Sequence, residues 1–125
     1  TPLDGGTAQW DGFVLSNVNI FTNTLTKRSN WDATFGAPKN WIEVKAGLLV
    51  DIEGNTLSSP AQRTNVTLTV RNQNGSAPWI RISDLTFKNN LATGFKAPMF
   101  GTLGKDDENV TDNSSSNWTI QNNLL

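Results

Sequence analysis

The sequence has no cysteine and no histidine. Without thiols there is neither a disulfide framework nor a thiolate metal site, and without imidazole the commonest zinc ligand and the commonest general base are gone. Ser-His-Asp, Cys-His and histidine-metal chemistry are thereby excluded. The chain also lacks any run of about 18 apolar residues, the length a bilayer-spanning helix needs. An excess of one charge is missing too, since 10 Lys and Arg stand against 11 Asp and Glu for a formal net charge of -1. Nucleic acids and anionic membranes are therefore not expected partners. The start at Thr1-Pro2-Leu3, without a methionine or an apolar leader, reads as a processed or excised segment.

What is present suits a single β domain spanning 1–125. With 125 residues, 36% hydrophobic and 17% charged, the chain has the apolar material for one core. Its polar residues are mostly Asn, Thr and Ser, which lowers helix propensity and favours strands and turns. Five Asn-x-Ser/Thr sequons, at Asn65, Asn74, Asn109, Asn113 and Asn117, are candidate glycosylation sites if the source glycosylates secreted proteins.

One pattern occurs four times: apolar, any, apolar, any, any, Asn, any, apolar. It reads Val18-Asn19-Ile20-Phe21-Thr22-Asn23-Thr24-Leu25 and then Val50-Asp51-Ile52-Glu53-Gly54-Asn55-Thr56-Leu57. It returns as Leu85-Thr86-Phe87-Lys88-Asn89-Asn90-Leu91-Ala92 and as Trp118-Thr119-Ile120-Gln121-Asn122-Asn123-Leu124-Leu125. The copies lie 32, 35 and 33 residues apart. Apolar residues two apart face the same side of a strand, the Asn falls where the chain bends, and the last apolar residue re-enters the interior. Like residues piled on like in this way make a solenoid, all-β, a right-handed parallel β-helix of about four coils with loop excursions. An antiparallel sandwich is the competing fold, because it shows similar alternation and turns.

Between the copies, 41–45, 65–71 and 79–82 alternate as further strands. The stretches 27–40, 58–64, 72–78 and 92–117 are rich in Gly, Pro, Asn or Ser and read as loops, the last a long excursion.

Several stretches carry a resemblance: Ile52-Glu53-Gly54-Asn55, the run Val70-Arg71-Asn72-Gln73-Asn74-Gly75-Ser76-Ala77-Pro78-Trp79, Gly104-Lys105-Asp106-Asp107-Glu108, and Ile120-Gln121-Asn122-Asn123-Leu124. From about Val18 onward the chain resembles bacterial right-handed parallel β-helix repeat proteins of the pectate-lyase-like superfamily. The resemblance implies a β-helix fold, an extracellular or cell-surface location, and a segment from the middle of a longer protein. The lyase motifs Trp-Ile-Asp-His and Arg-x-x-Pro-x-x-Arg are absent, so the resemblance carries the fold and not lyase activity.

Three groups are candidate sites. Asp106, Asp107 and Glu108, with Asp112 nearby, offer oxygen ligands for calcium, the single candidate cofactor, against the plainer reading of a solvated acidic loop. Glu43, Lys45, Arg71 and Gln73 fall on outward positions of neighbouring strands, forming either a polar face for sugar hydroxyls or carboxylates, or a salt-bridge ladder. Trp31 and Trp79 lie in or beside loops, where an indole stacks on a sugar ring or seals the interior. No catalytic residue stands out. The leading expectation is an extracellular scaffold that recognises polysaccharide or another surface through one flank. Two alternatives are a fragment of a polysaccharide lyase or glycoside hydrolase, and a subunit that self-associates end to end into filaments.

Overall fold

The computed structural model describes residues 3–4, 7–8, 12–28, 40–58, 66–72, 75, 77–94, 100–103 and 115–125. All regular structure among them is β, and no helix among them is long and apolar enough to cross a membrane. Two short strands, β1 (Leu3–Asp4) and β2 (Thr7–Ala8), pair antiparallel. Every later pairing is parallel.

The first copy of the repeat forms β3 (Ser16–Phe21) and, past its Asn, β4 (Thr24–Thr26). The chain continues through β5 (Ile42–Val44), β6 (Gly47–Glu53), β7 (Thr56–Ser58) and β8 (Val66–Thr69). It finishes with β9 (Ile82–Lys88), β10 (Leu91–Thr93), β11 (Phe100–Leu103) and β12 (Ser116–Gln121). These strands form three parallel sheets, ordered β3-β6-β9-β12, β4-β7-β10 and β5-β8-β11. The chain visits the sheets in a fixed order and joins each one a strand further along at every pass. One pass is called a rung below.

The register is the one the repeat anticipates. Val18 lies beside Val50, Val50 beside Leu85, and Leu85 beside Trp118; Ile20, Ile52, Phe87 and Ile120 form the next column. Both columns face inward, because side chains two apart share a face of the strand. In the two middle rungs Val50, Ile52, Leu57, Leu85 and Phe87 are at most 2% exposed. Each such side chain contributes about 1.5–3 kcal/mol through burial. Phe100 of β11 meets Phe87 edge to face at 4.9 Å between ring centres, closing the core on the third side.

The bends have a chemical cause. At each one a residue adopts φ between 52° and 67°: Thr22, Gly54, Asn89 and Asn122. The next residue is the repeat's Asn. Asn55 is 1% exposed, and its Oδ1 accepts from the Asn23 backbone N–H and Nδ2 at 2.9 and 3.1 Å. Its own N–H and Nδ2 donate to Asn90 Oδ1, both at 2.9 Å. Asn90 repeats the arrangement with Asn123 at 2.9 and 3.0 Å. A buried amide is thus satisfied by its own kind in the neighbouring rung, which avoids the penalty of an unpaired buried polar group.

Two segments differ from, or add to, the strands read from the sequence. In 79–82, Pro78 and Trp79 sit in a turn, and the Ile80 N–H is taken by the Ala77 carbonyl at 3.3 Å, so a ladder begins only at Ile82. The excursion 92–117 carries a strand of its own, β11, which pairs with β8.

Candidate functional site

The outer face of the four-stranded sheet is built from the residues that alternate with the core columns. Its first column is Asn17, Leu49, Asp84 and Asn117, all exposed and all with φ between 53° and 55°. A residue in this left-handed conformation is skipped by the ladder, which pairs Ser16 with Leu48 and then Val18 with Val50. The strand is kinked there and the side chain stands out from the sheet. Asn and Asp tolerate this conformation, whereas Leu49 does so with strain. The second column holds Asn19, Asp51, Thr86 and Thr119, and the third Phe21, Glu53, Lys88 and Gln121.

Between the first two columns runs an open groove of about 430 Å³. It is lined by Asn17, Asn19, Asn117, Asp51, Asp84, Thr86 and Leu49, with Val50, whose side chain faces the core, also in the lining. No Lys or Arg is among the described residues of the lining. Asn117 Nδ2 donates to Asp84 Oδ1 at 2.8 Å, which fixes both side chains along the groove's edge. Asp51 is half-buried, and among the described residues its Oδ1 is shut off from solvent without a hydrogen-bond donor. Beyond the groove, Glu53 accepts from Asn89 Nδ2 at 2.9 Å and pairs with Lys88 at 3.2 Å. The Asn89 hydrogen bond first, and Lys88 second, hold its carboxyl below the usual carboxylate range.

The residues singled out in the sequence lie elsewhere. Glu43 is exposed on β5, and its carboxylate pairs with Lys45 Nζ at 3.4 Å. The Arg71 N–H donates to the Lys45 carbonyl at 3.4 Å, which places the Arg71 backbone beside Lys45 of the neighbouring rung. Trp79 packs against the core, with its Nε1 donating to the Phe13 carbonyl at 3.1 Å. Asn117 is exposed at the groove's edge. Gln73, Trp31, Asp106, Asp107, Glu108, Asn65, Asn74, Asn109 and Asn113 lie outside the described residues. Among the described residues no three acidic groups are placed to hold a metal ion.

Reading the repeat from Val18 passed over the groove's first column, one residue upstream. Its signal was available, since Asn17, Leu49, Asp84 and Asn117 recur at the same 32, 35 and 33 residue intervals. Comparison with protein-family models, curated proteins and solved structures finds no match to this chain.

Proposed function

We propose that the protein is a secreted right-handed parallel β-helix scaffold that binds carbohydrate in the groove on its four-stranded sheet. Connections between parallel strands of one sheet are right-handed in about 98% of cases, which supports that hand here. The groove is the observation that carries the function. Amides, a hydroxyl and carboxylates, spaced by one strand separation of about 4.8 Å, suit the hydroxyls of a sugar polymer, which both donate and accept. Leu49 supplies an apolar surface for a ring face. With two carboxylates and no cation among the described lining residues, neutral or amino-sugar chains fit and polyuronates are repelled.

Calorimetric titration with neutral, amino-sugar and uronic oligosaccharides tests this. Binding of the first two classes is expected, with a loss of at least about fivefold in the Asn19→Ala and Thr86→Ala variants. Binding of uronides alone, or binding indifferent to both substitutions, would refute it. A hydrolase fragment is the second reading, favoured by Asp51 and Asp84 sharing one groove. Release of reducing ends that stops on Asp84→Asn would turn the reading from scaffold to enzyme.

A further inference from the structure

Leu49 is the odd member of the groove's first column. It holds φ at 53°, where Asn17, Asp84 and Asn117 hold nearly the same angle, and it is the one aliphatic residue of the four. Asn and Asp enter the left-handed region readily, whereas an aliphatic side chain there is strained. The side chain is 52% exposed, so burial does not account for it either. A strained residue that neither backbone preference nor packing explains is the kind that contact with a ligand retains. Leu49 lies on β6, which has β3 on one side and β9 on the other, so both of its neighbouring strands are among the described residues.

The polar groups around Leu49 define what such a ligand carries. Asn17 stands on the strand before it and Asp84 on the strand after it, each one strand separation of about 4.8 Å away. Asp51 lies two residues further along β6, and all four residues line the groove. Asp84 Oδ1 accepts from Asn117 Nδ2 at 2.8 Å, which orients the carboxylate. A carboxylate has about four acceptor sites, so one bond leaves capacity for a donor on the ligand. An apolar spot edged by an anionic acceptor and by an amide donor matches a group that combines a methyl, an N–H and a carbonyl in one plane. A sugar hydroxyl brings no methyl, and an ammonium group would lose water against Leu49.

We infer that the groove selects polymers of N-acetylated hexosamine, with Leu49 as the residue that sets the preference. This rests on the groove being a carbohydrate site. The acetamido methyl packs on Leu49 beside the sugar ring, the acetamido N–H donates to the Asp84 carboxylate, and its carbonyl accepts from the Asn17 amide. The bond to Asp84 is charge-assisted and is the stronger of the two. A free amine is drawn to the same carboxylates, but in an open groove salt screens that attraction. Leu49 thus keeps selectivity at the expense of stability, so a residue better suited to the backbone there raises one and lowers the other.

Calorimetric titration with β-1,4-linked tetramers of N-acetylglucosamine, glucosamine and glucose, in about 150 mM salt, tests the inference. The N-acetylated tetramer is expected to bind at least about tenfold more tightly than either of the others, through the buried methyl and the charge-assisted bond. In Leu49→Asn that preference is expected to fall at least about fivefold, because the methyl loses its apolar partner. The same variant is expected to unfold at higher urea, which separates lost selectivity from lost structure. Leu49→Met, strained like the native residue but still apolar, is expected to keep the preference. Equal binding of the three tetramers, tighter binding of glucosamine, a preference that survives Leu49→Asn, or one lost in Leu49→Met would each overturn the inference and leave the carbohydrate groove standing. Failure of all three tetramers to bind the native protein would remove both.

Discussion

Leu49 holds φ at 53° in a column where its neighbours are Asn17, Asp84 and Asn117. A residue with a Cβ pays about 1–2 kcal/mol for the left-handed region, and Asn recovers part of this by local hydrogen bonding. Leu49 is 52% exposed, so little burial offsets the strain. Leu49→Asn is therefore expected to stabilise the protein by about 1 kcal/mol in urea unfolding, and Leu49→Val to destabilise it, because a β-branched residue is worse still there. If Leu49→Asn were destabilising, the backbone at this column would be other than described. The contrast between columns shows what the sequence can convey at this scale. Asn23, Asn55, Asn90 and Asn123 were recognisable because one chemical role, satisfying itself across rungs, admits one residue type. The outer column tolerates Asn, Asp or Leu, so its geometry leaves only a faint compositional trace.

At the scale of the strand, the inward alternation of β6 and the bend that follows it have separable energetics. Ile52 is fully buried between Ile20 and Phe87. Ile52→Asp inserts an unpaired charge there and is expected to cost about 4 kcal/mol or more, enough to unfold a domain of ordinary stability. Asn55→Ala removes one amide but strands several partners, among them the Asn23 N–H and the Ile20 carbonyl. A loss of about 2–3 kcal/mol is expected, with the same strands retained by circular dichroism. An Asn55→Ala loss larger than that of Ile52→Asp would reverse the assignment of which side chains the core depends on. Strands with two or three inward aliphatic residues were legible from alternation alone. Residues 79–82 alternate equally well, yet the Ala77 carbonyl captures the Ile80 N–H, a local turn bond that periodicity does not register. β11 was hidden for the opposite reason: Phe100-Gly101-Thr102-Leu103 is short, and it is held by pairing with β8 rather than by its own composition.

For the molecule as a whole, the central claim is that successive copies of the repeat run in the same direction and superimpose. This was legible in the sequence through near-constant spacing, with the parallel arrangement of the three sheets as its structural counterpart. The groove was not, because it arises only when residues about 33 apart in sequence are brought one strand apart in space. A sandwich built from the same alternating segments would place neighbours antiparallel and would dissolve the groove. Through-space NMR contacts between backbone protons of adjacent strands decide the matter most directly. Val18 to Val50, Ile20 to Ile52, Val50 to Leu85 and Ile52 to Phe87 are expected, so that the difference between partner numbers stays fixed along each strand pair. Contacts in which one partner number rises as the other falls would contradict the parallel winding.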